Sequence, residues 1–240
     1  MSFVRVGAVL STVAVSALVL SAAPAQAATA PVIQDTKADS FALGVAKTKE
    51  FVLAAEVTGA TSVTVRSDRT LADSCDSWSS TLHKHEATVF GDVFDAPVDM
   101  FAAHGGNGCA GTWRATFTAK GAGGQDTATR KYYVRRAARW VHVNASPEPV
   151  RKGAKVTVTG KLERASWDDG KYHGHAGRTA ELQFRTTNGS YRTVQTLVGS
   201  RTGTYRATAT QSVKGCWRLV FRGSTTTTAA KAAGDCVSVR

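Results

Sequence analysis

The sequence predicts an all-β protein with two β-sandwich domains in tandem, preceded by a cleaved signal peptide. Short segments throughout the chain alternate apolar and polar residues, which is the pattern of half-buried strands. The chain is rich in Val, Thr, Ala and Gly, and no stretch longer than a turn or two has apolar residues at helical spacing. About 213 residues follow the predicted leader, which suits two domains of about 100 residues each.

The predicted leader is residues 1–27. Arg5 supplies its positive end, Val6 to Leu20 its apolar stretch, and Ala25-Gln26-Ala27 a small-residue cleavage site. No cysteine follows the apolar stretch to accept lipid, and no second run of about 18 apolar residues is present. We therefore expect a secreted, extracellular protein whose mature chain begins at Ala28 and contains no transmembrane segment.

The second domain, residues 139–240, contains seven predicted strands separated by turns. Lys155 to Leu162 shows the pattern, with Val156 and Val158 on one face. Thr187-Asn188-Gly189-Ser190 predicts a hairpin turn because Asn and Gly accept positive φ with little strain. Seven short strands are typical of an immunoglobulin-like sandwich. The strands are predicted at Trp140–Asn144, Lys155–Leu162, Ala180–Phe184, Tyr191–Val198, Tyr205–Ala209, Cys216–Phe221 and Cys236–Arg240.

The first domain, residues 28–138, is less regular. No clear period is visible between Arg69 and Gly111, so we expect a long excursion from a second sandwich there. The boundary at residues 135–139 is too short for a flexible tether, which predicts a limited range of domain orientations. The predicted strands are Phe51–Thr58, Ser62–Arg66, Thr112–Ala119 and Thr127–Arg135.

A family resemblance is carried by Val141–Gly153, Val156–Leu162, Leu182–Phe184, Thr202–Ala207, and Ala233–Asp235 with Val237–Arg240. In these segments the chain resembles the C-terminal domain of small secreted, two-domain immunoglobulin-like proteins of Streptomyces and related actinobacteria. The resemblance covers the second domain well and the first loosely. It implies the fold and an extracellular location more than an activity.

All four cysteines lie in the predicted mature chain, where an oxidising compartment favours disulfides over metal binding. Cys216 and Cys236 depart from the family pattern. Both alternate with core-facing positions such as Trp217, so both are expected to point outward, and neighbouring strands would allow a bridge between them. Cys75 and Cys109 are the natural second pair, which closes the aperiodic stretch into a loop.

The predicted Cys75–Cys109 loop is rich in side chains able to bind a ligand. Trp78, His83 and His85 are its candidate recognition residues. The alternative interpretation is that its aromatic residues form a satellite core while its charges are solvated.

Motifs for catalysis and metal binding are absent from the sequence. His83-Lys84-His85 and His173-Gly174-His175 each bring two imidazoles together without further ligands at metal-site spacing. Neither a calcium loop with alternating Asp and a central Gly nor a Gly-x-Ser-x-Gly elbow occurs. We therefore expect no metal, no cofactor and no enzymatic activity.

Charge is divided unevenly between the two domains. Residues 28–138 contain 12 Lys and Arg against 12 Asp and Glu, whereas residues 139–240 contain 17 against 6, a net charge of +11. Exposed charges act within about 8 Å at physiological salt, so only a clustered set can hold a polymer. We expect the strand positions of Arg185, Arg192 and Arg218 to point outward, which makes these three the candidate polyanion contacts.

Two functions fit these observations. The first is a non-enzymatic binding or adhesion module whose basic second domain docks on anionic cell-envelope or matrix polymers, such as wall polymers or acidic glycans. The alternative is a protein-recognition partner, an inhibitor or toxin accessory, that acts through the Cys75–Cys109 loop, because a bridged loop loses less entropy on binding. No nucleic-acid motif is visible, so sequence-specific nucleic-acid binding is not expected.

Overall fold

The computed structural model describes residues 28–45, 48–70, 75–101 and 106–240. The predicted signal peptide, residues 1–27, lies outside the described residues. Regular structure in these ranges is β-strand, apart from one 3₁₀ turn at Gly106–Cys109. Within the same ranges, no helix is long and apolar enough to cross a membrane.

The strands of the first domain are β1 Val32–Ala38, β2 Phe41–Leu43, β3 Thr48–Thr58, β4 Ser62–Arg69, β5 Trp78–Ala87, β6 Asp92–Phe101, β7 Gly111–Gly121 and β8 Gly124–Arg136. They pair in the order β1-β3-β6-β5-β4-β7-β8-β2, and β2 runs parallel to β8 while the other pairs are antiparallel. The sheet forms two layers because the first half of β5 pairs with β4 and its second half with β6. The space between the layers holds a fully buried apolar core: Leu53, Val57, Val63, Val65, Phe117 and Tyr132.

The stretch between Arg69 and Gly111 is not the long excursion that the sequence predicts, because β5 and β6 occupy most of it. Alternation is hidden in β5, where Leu82 is the buried side chain and both faces otherwise carry exposed or half-buried residues. In β6, Phe94 and Ala96 face the core, but Pro97 interrupts the pattern, since proline is depleted within strands. The sequence prediction depended on alternation of apolar and polar residues, which is absent from β5 because this strand crosses between the layers.

The strands of the second domain are β9 Ala138–Ser146, β10 Ala154–Ser166, β11 Lys171–Gly174, β12 Thr179–Thr186, β13 Arg192–Val198, β14 Thr204–Gln211, β15 Gly215–Phe221, β16 Ala230–Lys231 and β17 Asp235–Val237. One sheet contains β9, β10, β11 and β14, and the other has the order β13-β12-β15-β16 with β17 also on β15. The chain crosses between the sheets after β11, β13 and β14, as in a Greek-key immunoglobulin-like sandwich. The predicted fold class, two such sandwiches in tandem, is confirmed.

The second domain differs from the sequence prediction at β11, at the two-residue strand β16, which was not predicted, and at the last strand. β11 was missed because it is a four-residue partner of the end of β10, too short to show a period. The predicted strand Cys236–Arg240 is shorter, since β17 ends at Val237 and Val239 forms an isolated bridge with Val150. Between the sheets lies a buried core: Val156, Val158, Leu162, Leu182, Trp217 and Leu219.

The domains meet without a spacer, because β8 ends at Arg136 and β9 begins at Ala138. The predicted boundary between residues 138 and 139 falls at the start of β9. Arg136 is buried, and its side-chain Nε donates to the carbonyl of Ala165 at 2.6 Å while its backbone N–H donates to the carbonyl of Thr226 at 3.0 Å. Burial lowers the pKa of Arg136 to about 10.

The turn after β10 inserts into the first domain. Trp167 and Ala165 belong to the apolar core of the first domain, although they lie in the sequence of the second. Asn107, in the 3₁₀ turn, accepts a hydrogen bond from the backbone N–H of Trp167 at 2.9 Å and donates its own backbone N–H to Asp168 at 2.8 Å. Cys109 ends the same turn, so the second domain supports the first at its disulfide.

Both predicted disulfides are confirmed: Cys75 with Cys109 and Cys216 with Cys236. Cys216 and Cys236 are direct cross-strand neighbours on β15 and β17. The expectation that both point to solvent is wrong for Cys216, which is 5% exposed. Its position lies on the outer face of β15, as the alternation predicts, but other side chains cover that face.

Candidate anion-binding face

The outer surface of the β12–β15 pair brings together two of the three candidate arginines. In the register of the two strands, Arg185 lies opposite Cys216, and Gln183 lies opposite Arg218. Opposite residues share a face, as do residues two apart on one strand, so Arg185, Gln183 and Arg218 project from the same surface. We call this surface the β12–β15 face and define it by Glu181, Gln183, Arg185, Tyr191, Arg218 and Arg222.

A continuous chain of side-chain hydrogen bonds runs along this face. Arg222 donates through Nε to Oε1 of Glu181 at 2.6 Å and through a terminal nitrogen to Oε2 at 3.0 Å. Gln183 donates its amide to Oε2 of Glu181 at 2.8 Å, and Nε of Arg218 donates to Oε1 of Gln183 at 2.9 Å. The orientation of Arg218 is therefore fixed through Gln183 and Glu181, which reduces its entropy loss on binding.

Tyr191 lies between the two candidate arginines. The guanidinium carbon of Arg218 lies 3.7 Å from the centre of the Tyr191 ring, and that of Arg185 lies 5.1 Å from it. Both distances are within the range of cation–π attraction. Two positive groups are thus held near one aromatic ring. Their attraction to the ring offsets part of the repulsion between them.

Gly234 lies close to both the Cys216–Cys236 disulfide and Tyr191. A Cβ placed on Gly234, two residues before Cys236, would lie 3.4 Å from Cβ of Cys216 and would collide with the hydroxyl of Tyr191. A larger residue at this position would displace the Tyr191 hydroxyl. Because the disulfide ties the segment to β15, it also fixes the surface on which Tyr191 rests.

Arg192 does not join the other two arginines. It lies opposite Phe184, which packs against the core, whereas Thr193 lies opposite Gln183. An irregularity in the register between Leu182 and Gln183 produces this arrangement. Arg192 is exposed, as its selection assumed, but it lies on the opposite face of the edge strand and does not share a surface with Arg185 and Arg218.

Glu163 and Glu181, two carboxylates of the second domain, are paired with residues other than Arg185 and Arg218. Glu163 pairs with Arg139 and Lys161, at 2.9 and 3.0 Å. Hydrogen bonds from Arg222 and Thr193 lower the pKa of Glu181 to about 2. Among the described residues, no carboxylate lies within ion-pair distance of Arg185 or Arg218. Neither guanidinium is therefore neutralised by a direct ion pair among the described residues.

The three candidate recognition residues of the first domain lie on β5 and not in a loop. Trp78 is half-buried and contacts Phe51 edge-on, with ring centres 6.3 Å apart, so it extends the core. His83 and His85 are exposed farther along the strand, about 17 Å and about 24 Å beyond Trp78 at ordinary strand rise. The structure does not bring Trp78 together with the two histidines.

The predicted His pairs gain no further ligands in the structure. Within the described ranges, no group of three or more His, Cys, Asp or Glu side chains is arranged to hold a metal. His173 is exposed and contacts Asp169 at 2.6 Å, whereas His175 is buried against Phe221 with ring centres 5.6 Å apart. The two imidazoles of His173-Gly174-His175 therefore occupy different environments.

Sequence reasoning missed Tyr191, Gln183 and Glu181 as members of the site. Their contribution depends on which residues of β12, β13 and β15 lie side by side, and a single sequence does not reveal that register. The available signal was the position of Tyr191 directly after a predicted turn, between two strands that each carry an arginine.

No protein-family model and no curated protein matches this chain. Solved structures of immunoglobulin-domain proteins do. A chimeric titin Z1Z2-Z1Z2 tandem has 14% identity, covers 88% of this chain and 99% of its own, and has a TM-score of 0.32. Titin Z1Z2 in complex with telethonin has 13% identity, with 88% and 96% covered and a TM-score of 0.26. A Dscam structure on isoform specificity has 14% identity, with 88% and 46% covered and a TM-score of 0.30. These likenesses concern the fold alone.

Proposed function

We propose that this protein is a secreted, non-enzymatic binding module whose second domain docks on anionic polymers of the cell envelope or extracellular matrix. The observation that carries the proposal is the pair of guanidinium groups, Arg185 and Arg218, held on one face of the molecule around Tyr191 without a carboxylate partner. Guanidinium groups bind phosphate, sulfate and carboxylate through paired hydrogen bonds.

An extracellular location is supported by the leader pattern in residues 1–27 and by two disulfides in the chain. Disulfides persist in oxidising compartments and are rare in the cytosol. The resemblance to secreted actinobacterial proteins makes wall polymers and acidic glycans the polyanions nearest to the mature chain. Both carry a repeating negative charge without a base sequence to be recognised.

The net charge of the second domain supports the same function. Its fold does not require an excess of arginine, because outward strand positions accept Thr or Gln equally well. Arg218 donates its Nε to Gln183 and keeps its terminal nitrogens free of partners among the described residues. Arg185 makes one weak contact, from a terminal nitrogen to the carbonyl of Thr187 at 3.4 Å. Both side chains can therefore donate hydrogen bonds to an anion without breaking strong ones.

Retention of the mature protein on purified cell wall tests the proposal. Wild type is expected to bind at low salt and to be released at about 0.5 M salt, because screening weakens exposed charge pairs. The R185K/R218K variant keeps the charge but loses the planar contact with Tyr191, and we expect it to bind between wild type and R185Q/R218Q. Equal retention of wild type and R185Q/R218Q would exclude the face as the binding site.

A second candidate function, protein recognition by the Cys75–Cys109 segment, is favoured by one observation. The turn between β5 and β6 exposes Val89 and Phe90, at 93% and 68% of their surface. Thr88 makes the turn rigid, because its hydroxyl accepts from the backbone N–H groups of Phe90 and Gly91. A salt-resistant partner recovered from culture supernatant by wild type and lost with V89S/F90S would support this function.

A further inference from the structure

A cleft lies beyond one end of the β12–β15 face. Its volume is about 440 Å³, and its lining includes Arg178, Glu181, Thr196, Phe221, Arg222 and Ser224. A second hollow of about 470 Å³ continues from it toward the first domain and shares Arg222 and Ser224. Tyr133 and Arg135 of the first domain line this second hollow. The cleft is within the size range of sites for small ligands.

The charges around the cleft favour an anion. Arg178, Arg222 and Arg135 border the two hollows, whereas Glu181 is the acidic side chain among their lining residues and is bonded by Arg222. Arg135 is fixed by its Nε, which donates to the carbonyl of Ser224 at 3.2 Å, and by its position 4.4 Å from the ring centre of Tyr133. Three cations thus surround one compensated carboxylate.

The wall behind the cleft is also under positive potential. Phe221 separates the cleft from His175, which is 4% exposed. Burial lowers the pKa of His175 to about 4, with further lowering by Arg164, Arg178 and Arg136. Three arginines that disfavour a proton on His175 will favour a negative group on the open side of the same wall.

The cleft and the β12–β15 face are continuous through Arg222. This residue lines the cleft and also begins the hydrogen-bond chain through Glu181 and Gln183 to Arg218. From Glu181 to Arg185 the strand rises by about 14 Å. A linear polymer lying along β12 would therefore meet cations at both ends of this distance.

We propose that the cleft is a second anchor for the polymer: it holds one anionic unit of the polymer through its phosphate, sulfate or carboxylate group, while the following units extend along the face to Arg185 and Arg218. The inference rests on the proposed function. Two anchors on one chain raise affinity by converting the second contact into an intramolecular one, provided that the ligand is long enough to span them.

Chain-length dependence tests the second anchor. Binding of the mature protein to heparin-derived oligosaccharides, from disaccharide to decasaccharide, is measured by calorimetry at 50 mM salt, and a parallel series of glycerol-phosphate oligomers distinguishes a phosphate polymer from an acidic glycan. We expect affinity for at least one series to increase tenfold or more from its shortest to its longest member. The series with the larger gain identifies the anion.

Arg178→Gln isolates the cleft. The backbone carbonyl of Arg178 accepts the hydroxyl of Tyr205 at 2.6 Å, and this contact survives the substitution. The matched control is Arg206→Gln, an exposed arginine on β14 in the opposite sheet. We expect Arg178→Gln to lower affinity for the long oligomers about fivefold and leave the short ones nearly unchanged, and Arg206→Gln to change neither.

The outcomes separate this inference from the proposed function. If affinity does not rise with length, or if Arg178→Gln equals Arg206→Gln, the second anchor is wrong, and the proposed function still stands when R185Q/R218Q weakens binding. If wild type binds neither series, both fail together.

Discussion

The indole Nε1 of Trp167 donates a hydrogen bond to the carbonyl oxygen of Leu43, at an N–O distance of 3.3 Å, across the junction between the two domains. The ring is 7% exposed and lies in the apolar core of the first domain. Trp167 therefore completes a core that the first domain's own sequence leaves open. This contact fixes how the basic second domain is presented relative to the first.

Replacing Trp167 by alanine is expected to destabilise the first domain. Truncation of a buried tryptophan costs about 3–5 kcal/mol. Urea unfolding measures the total loss, and hydrogen exchange of the β7 amides locates it. W167F, which keeps most of the apolar volume, is expected to lose less than half as much. Unchanged β7 exchange in W167A would show that the two domains are not coupled in this way.

The two disulfides are expected to differ in what they support. Cys75–Cys109 joins residues 34 apart in sequence, and Cys216–Cys236 joins residues 20 apart. In the chain-entropy model, replacing the first pair by serine lowers stability by about 4 kcal/mol and replacing the second by about 3 kcal/mol. Polymer binding should persist without Cys75–Cys109. It should weaken without Cys216–Cys236, because Gly234 then no longer holds Tyr191 in place. Equal binding by both serine variants would contradict the supporting role.

Stability is expected to fall with acid through His175. Burial, together with Arg164, Arg178 and Arg136, lowers its folded-state pKa to about 4, against about 6.5 in the unfolded chain. Below pH 6.5 the unfolded chain takes up a proton that the folded chain excludes. This proton uptake reduces stability by about 3 kcal/mol as the pH falls to 4.

The free energy of unfolding, measured from pH 7 to pH 4.5, checks this expectation. H175Q should flatten the decline, because glutamine does not titrate. H83Q, at an exposed histidine of the first domain, should leave the decline unchanged. A decline of the same size in H175Q would exclude the buried imidazole as its source.

The sequence predicted what depends on local pattern. Val156 and Val158 alternate with Thr157 and Thr159, and both valines are fully buried in β10 as expected. The cysteine pairing was also predictable, because only one pairing places each disulfide within a single domain. β5 was not predicted, because it crosses between the layers and has exposed residues on both faces, so its sequence does not alternate.

The binding face was predicted only in part, because its geometry depends on register. Alternation placed Arg185 and Arg218 outward, and the structure agrees. The irregularity beside Gln183 moves Arg192 to the other face, and no feature of a single sequence signals such a shift. The same limit applies to Trp167, whose apolar partners come from another domain.

The measurement that tests the central claim most directly is the salt dependence of affinity for heparin, compared between R185Q/R218Q and a control with the same charge change. R114Q/R130Q provides that control, since both arginines are exposed on the first domain. We expect R185Q/R218Q to bind roughly tenfold more weakly than wild type and to lower the slope of log affinity against log salt by about two, while R114Q/R130Q matches wild type. Equal losses and equal slopes for the two double variants would show that total charge, and not the β12–β15 face, holds the polymer.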